Sequence, residues 1–239
     1  MKRLLLAAAV LGLAGAIGSA NAAVITSATV TIWNAPTPGA TPTSISQQGL
    51  PTAVGLFGGP LPLVAGSTPY AFPINYNDAA ANTIPGFFAN NSPASPTPLT
   101  CTGACLTNPL SLGGFAQATV FRFTFTETTM ETFSATHDDG ISLFVAGTEA
   151  GLTPGTCNVT GSGCPGDLLP ISAALPTTAR TDSVNIGPGT YDLWYAEVNG
   201  IPAVLQATST PTPEPASLTL LGSALVGLGW FVRRRRNGV

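Results

Sequence analysis

Ala118-Thr119-Val120-Phe121-Arg122-Phe123-Thr124-Phe125-Thr126 is the stretch that decides the fold. Phe121, Phe123 and Phe125 occupy alternate positions, with Arg122, Thr124 and Thr126 between them. Successive side chains of a strand point to opposite faces, so this period of two predicts a β-strand with one buried face. Towards the C-terminus, strands are expected at Glu131–Thr136 and Ile141–Ala146. His137-Asp138-Asp139-Gly140 lies between them as a tight turn, with glycine supplying the permissive backbone. Three more strands are expected at Thr181–Ile186, Thr190–Val198 and Ala203–Ala207, with turns at Gly187-Pro188-Gly189 and Asn199-Gly200. Short strands without an amphipathic helix give an all-β sandwich or barrel, of which a single β-sandwich is the expectation.

Towards the N-terminus the pattern is weaker. Val24–Trp33 reads as a strand, because Ala28, Val30 and Ile32 alternate with Thr29 and Thr31. Between Asn34 and Ser111 lie 13 of the chain's 22 prolines, in Thr-, Ser-, Gly- and Asn-rich surroundings. Proline blocks central strands and long helices, so residues 34–111 are expected to be loop-dominated. Short strand pieces are expected near Val54–Phe57 and Pro69–Ile74, with Leu56, Phe57, Tyr70, Phe72, Phe87 and Phe88 as apolar anchors.

Both ends read as export signals. Lys2 and Arg3, then the apolar Leu4–Ile17, then Ala20-Asn21-Ala22, form a secretory signal peptide over residues 1–22, cut between Ala22 and Ala23. An uncleaved anchor is the competing reading. At the other end, Pro213-Glu214-Pro215 leads into Ala216–Val232, 17 residues without a charge, closed by Arg233, Arg234, Arg235 and Arg236. As a helix this run is roughly 26 Å long, within the range of membrane-spanning segments. The arginines would act as a stop and hold the C-terminus in the cytoplasm. A buried core helix is the alternative, and four adjacent arginines argue against it.

Pro213-Glu214-Pro215, the apolar helix with Gly222, Gly227 and Gly229, and the arginine cluster resemble a PEP-CTERM protein-sorting tail over residues 213–239. The resemblance implies a Gram-negative, exopolysaccharide-producing source. It also implies export by the Sec machinery and transient residence in the inner membrane. An exosortase would then recognise the tail and cleave near the PEP motif, and the product would reach the cell surface or extracellular matrix.

The body between these ends, residues 23–212, holds two basic residues, Arg122 and Arg180, against ten acidic ones, a net charge of about −8. Nucleic-acid binding needs phosphate-neutralising cations, so composition excludes it. Most of the acidic residues read as solubilising surface charge. The four cysteines form two close pairs, Cys101 with Cys105 and Cys157 with Cys164. In an exported chain this argues for disulfides, and proximity favours Cys101–Cys105 and Cys157–Cys164 among the possible connectivities.

Phe133 to Gly147, with its Asp-Asp-Gly turn, resembles a hairpin of PA14-like domains, and Gly189–Gly200 followed by Ala203–Leu205 is similar to their later strand pair. Those domains are β-sandwiches, and their sugar-binding members hold calcium through paired aspartates. The resemblance therefore places Asp138 and Asp139 at a metal site for Ca2+. Two adjacent carboxylates do begin the oxygen shell that calcium needs. Asp-Asp-Gly is equally good chemistry for a solvated turn. His137 reads as an exposed turn residue. Tyr191, Trp194 and Tyr195 read as core of a strand with two apolar faces, one of them suited to stacking on a sugar.

Three function classes follow. A calcium-dependent binding or adhesive surface module associated with exopolysaccharide fits best. A structural envelope or matrix protein without a ligand is next. An enzyme fits least: no nucleophile elbow is present for a Ser-His-Asp site at the single histidine, His137, and a glycan-active hydrolase would need two of the carboxylates brought close in a body short for that role.

Overall fold

The Phe121–Phe125 alternation sits at the centre of one of two antiparallel sheets in a computed structural model of the chain. The structure describes residues 28–36, 63–70, 74–78, 82–89, 107–112, 117–152, 164–170, 178–198, 200 and 202–212, with 222, 223, 225–227 and 233 of the tail. In chain order the elements of the body are β1 (Ala28–Pro36), β2 (Leu63–Tyr70), β3 (Ile74–Asp78) and α1 (Ile84–Ala89). Then come β4 (Gln117–Glu127), β5 (Glu131–His137), β6 (Ile141–Val145), β7 (Arg180–Ile186), β8 (Gly189–Glu197) and β9 (Ala203–Pro211). One sheet runs β2-β1-β4-β8-β6 and the other β3-β9-β5-β7, so the expected all-β sandwich is the observed architecture.

The strands from β4 onward lie within a few residues of their expected places. The Pro-rich segment holds more structure than expected, because β2, β3 and the short helix α1 all lie within it. β2 pairs with β1, with register shifts near Ile32, and β3 pairs with β9. Both are edge strands, where proline is tolerated because one side makes no ladder bonds. The piece expected near Val54–Phe57 lies outside the described residues.

The two sheets meet through their alternate residues. Phe121, Phe123 and Phe125 of β4 and Tyr191, Leu193 and Tyr195 of β8 face Ile74, Tyr76, Phe133, Ala135, Leu205 and Ala207 of the other sheet in one buried cluster. Phe125 and Phe133 stack across the interface with ring centroids 5.6 Å apart. Phe87 of α1 is the wedge between the sheets, 4.1 Å from the Tyr76 ring and 4.7 Å from the Phe121 ring. Aromatic packing of this kind adds to the burial of the rings themselves.

The outward faces differ. On the five-stranded sheet Trp33 and Trp194 stack at 5.3 Å, and the Arg122 guanidinium lies 5.7 and 5.6 Å from their rings. On the four-stranded sheet, β5 and β7 carry a ladder of uncharged pairs: Thr132 with Asn185, Ser134 with Ser183 and Thr136 with Thr181.

Phe87 is fully buried between the sheets. Phe87→Ala should therefore destabilise the chain by about 3–5 kcal/mol, read as a lowered urea midpoint.

Candidate functional site

β5 ends at His137 and β6 begins at Ile141, so Asp138 and Asp139 form the turn between a strand of one sheet and a strand of the other. This is not a solvated turn. Asp139 is 5% exposed and Asp138 is half-buried. The Asp139 carboxylate accepts the Val198 amide at 2.9 Å, and Asp138 Oδ1 accepts the Val204 amide at 3.1 Å. The Ala196 amide reaches the Gly140 carbonyl at 3.0 Å, which draws the turn onto the end of β8.

His137 is likewise not an exposed turn residue but the fully buried last residue of β5. Nδ1 meets the Asp139 carbonyl at 2.6 Å and Nε2 meets Asp182 Oδ2 at 2.9 Å, while Arg180 bonds the other Asp182 oxygen at 2.6 Å. Both ring nitrogens are spent on this network, which leaves the imidazole neither a metal lone pair nor a free base position.

A third carboxylate, unforeseen from sequence, completes the group. Glu197, the last residue of β8, is fully buried, and oxygens of Asp138, Asp139 and Glu197 all lie within 4.8 Å of one another. The Tyr195 hydroxyl stands 3.0 Å from Asp138 Oδ1 and 2.7 Å from Glu197 Oε2. A phenol has one proton, so it satisfies one of these oxygens, and the other contact needs a carboxyl proton. Burial pushes the Glu197 pKa well above 4.5, and the charges of Asp139 and Asp138 push it the same way. Without a cation, the consistent arrangement has protonated Glu197 donating to Tyr195 and Tyr195 donating to Asp138. Burial also raises Asp138 and carries the Tyr195 phenol well above its ordinary range. Ser111, from the Pro-rich segment, donates to Glu197 Oε1 at 2.7 Å and accepts the Gly200 amide at 2.9 Å.

The signal for Glu197 was present in its spacing, since it continues the inward row Tyr191, Leu193, Tyr195. Ser111 had no such signal, because it lies far along the chain in irregular backbone. The reading of the acidic residues as surface charge is corrected throughout: Glu127, Glu131, Asp139, Glu149, Asp182, Asp192 and Glu197 are all buried. Tyr191 and Tyr195 are core, and Trp194 is 5% exposed beneath its stack with Trp33, so none of the three presents an open ring to a sugar.

Of the other expected sites, Cys164 is buried and disulfide-bonded. Cys101, Cys105, Cys157, Ala22, Ala23, Pro213, Glu214, Pro215 and Arg234–Arg236 lie outside the described residues, as does most of the expected helix 216–232. Residues 222, 223, 225–227 and 233 are helical. Among the described residues no helix is long and apolar enough to cross a membrane.

A family model of the PEP-CTERM protein-sorting motif matches residues 211–236. No curated protein and no solved structure matches the chain, so the PA14-like resemblance gains no support. The matched motif makes the chain an exosortase-sorted protein, exported and displayed at the cell surface.

Raised carboxyl pKa values mean that the folded state holds protons the unfolded chain has released. Stability in chelator should therefore be greatest at acid pH and fall as pH rises. Asp167, half-buried and pushed up to about 6, contributes between its ordinary 3.8 and that value, and Glu197 contributes from its ordinary 4.5 upward. The slope approaches about 1.4 kcal/mol per pH unit for each proton. Glu197→Gln should flatten it above the ordinary Glu value of 4.5 and raise stability there, measured by urea unfolding between pH about 5 and 8.

Proposed function

We propose that the exported body is a calcium-dependent binding or adhesive module, associated with exopolysaccharide at the cell surface, and that it is not an enzyme. The carboxylate trio carries this reading, its oxygens lying within 4.8 Å of one another. Calcium holds oxygens at about 2.3–2.6 Å, so ligands on opposite sides of one ion stand about 5 Å apart. The trio falls inside that limit. The Val198 and Val204 amides take only part of the lone-pair capacity of Asp139 and Asp138, since an ionised carboxylate offers about four sites. A cation would also relieve the repulsion between carboxylates brought together away from water.

Association with a polysaccharide draws support from the four-stranded sheet, whose Thr132–Asn185, Ser134–Ser183 and Thr136–Thr181 pairs present uncharged hydroxyls and an amide to the outside. Such groups match a polyhydroxyl chain in donors and acceptors. A non-catalytic role draws support from His137, whose nitrogens are committed to Asp139 and Asp182. The cysteine pairing belongs to the same proposal, with local bridges Cys101–Cys105 and Cys157–Cys164 holding loops of an extracellular protein.

One observation favours a second reading, a structural envelope or matrix protein without a ligand. Tyr195 stands between Asp138 and Glu197, and a shared proton would satisfy these groups without any ion.

A thermal melt of the purified chain with and without millimolar calcium separates the two. An ion that binds only the folded state raises the melting temperature by mass action, by several degrees when calcium exceeds Kd about a hundredfold. The rise should vanish in Asp138→Asn with Asp139→Asn, and no rise in the parent chain would favour the structural reading. Removal of the tail during sorting predicts that the surface form has an intact mass lacking Arg233–Arg236.

A further inference from the structure

The inward rows of three strands end in oxygen at the opposite end of the sandwich. On β4 the row Phe121, Phe123, Phe125 continues to Glu127. On β5 the row Ala135, Phe133 runs back to Glu131, six residues from His137 and so at the far end from the Asp138–Asp139 turn. On β9 the row Ala203, Leu205, Ala207 continues to Ser209. The Thr210 hydroxyl donates to the Thr132 carbonyl, which sets this end of β9 beside the start of β5.

All three side chains are at least nine-tenths buried: Glu131 is 0%, Glu127 4% and Ser209 8% exposed. Each also keeps an oxygen without a hydrogen-bond partner, namely Glu127 Oε1, Glu131 Oε2 and Ser209 Oγ. Thr129 orients Glu131 by donating to its other oxygen, Oε1. The Ser209 hydroxyl lies near enough to Glu127 to favour its ionised form, yet closes no bond of proper geometry with it. Burial raises Glu127, and the neighbouring Glu131 charge raises it further.

Buried polar atoms without a partner are costly, and buried carboxylates side by side are more so. Here two carboxylate oxygens and a hydroxyl oxygen, from three strands, are held together without bonding one another. Hard oxygens in that state are the donor set of an alkaline-earth ion, which fills the rest of its shell with water or carbonyls.

We propose that Glu127, Glu131 and Ser209 form a binding site for a divalent cation, calcium by its oxygen-only donors, at the end of the sandwich away from Asp138 and Asp139. The ion ties the β4–β5 turn, which passes from one sheet to the other, to β9. This site is independent of the carboxylate trio.

Equilibrium dialysis of the full chain against calcium, counting ions per chain, tests it. Glu127→Gln with Glu131→Gln, which keeps side-chain shape, should bind one ion fewer than the parent. Asp138→Asn with Asp139→Asn should keep the ion at Glu127 and Glu131, whether or not the trio binds one of its own. Ser209→Ala removes one hydroxyl and disturbs the fold least, and it should raise the dissociation constant of this site alone. An unchanged count in the double glutamine variant overturns the proposal. So does a parent chain whose only calcium is lost with Asp138 and Asp139, or one that binds none.

Discussion

Asp138 joins the two sheets with one carboxylate. Its Oδ1 takes the amide of Val204, on β9 of the four-stranded sheet, and the hydroxyl of Tyr195, on β8 of the five-stranded sheet. Apolar packing between the sheets has no preferred end point, because burial is proportional to area and not directional. A short polar side chain that must satisfy donors from both sheets does have one. Asp139, bonding Val198, fixes the same end from the neighbouring position. The β5–β6 turn is thus a clasp, and its sequence is set by the need for two acceptors side by side.

The clasp has an electrostatic cost that the rest of the body has to meet. Bringing Glu197 within 4.8 Å of both aspartates concentrates negative charge where water is scarce. A proton on Glu197 meets part of that cost by neutralising one carboxyl, and a divalent cation meets more of it by offsetting two of the three charges. Surface display makes the second route available, because extracellular fluids supply divalent ions at concentrations that cytosol does not.

The Pro-rich segment is drawn into this arrangement through side chains more than through its own backbone ladder. Asn34 donates to Thr119 at 2.7 Å and to the Pro109 carbonyl at 3.1 Å, and its Oδ1 accepts from Asn108 and Gln117. Asn82 makes a pair of bonds with the Ser111 backbone, at 2.6 and 3.0 Å. Ser111 then reaches Glu197. Buried amide side chains replace the strand pairing that proline forbids, and the result holds Ser111 against the carboxylates. The hydrogen bond from Thr119 to the Leu110 carbonyl belongs to the same seam.

How much could be read without the structure depends on whether the deciding physics is local. Alternation in Phe121–Phe125 and glycine at Gly200, with φ of 88°, act over a few residues, so strands and turns from β4 onward were legible. The sorting tail was legible for the same reason, being one contiguous run over 211–236. Asp138 and Asp139 could be singled out as an acidic turn, but not as a buried one. Whether a carboxylate faces water depends on which strand end abuts it, and that is set by pairing. Ile141 lies opposite Tyr195 on adjacent strands, and this register carries Glu197 to the turn across 58 residues of chain. The same limit explains His137, which reads as a turn residue until β7 brings Asp182 beside it. Composition and periodicity determined a sandwich with an export tail. Burial of the charges, and with it the chemistry at each end of the sandwich, was decided by contacts between residues far apart in sequence, which no local pattern records.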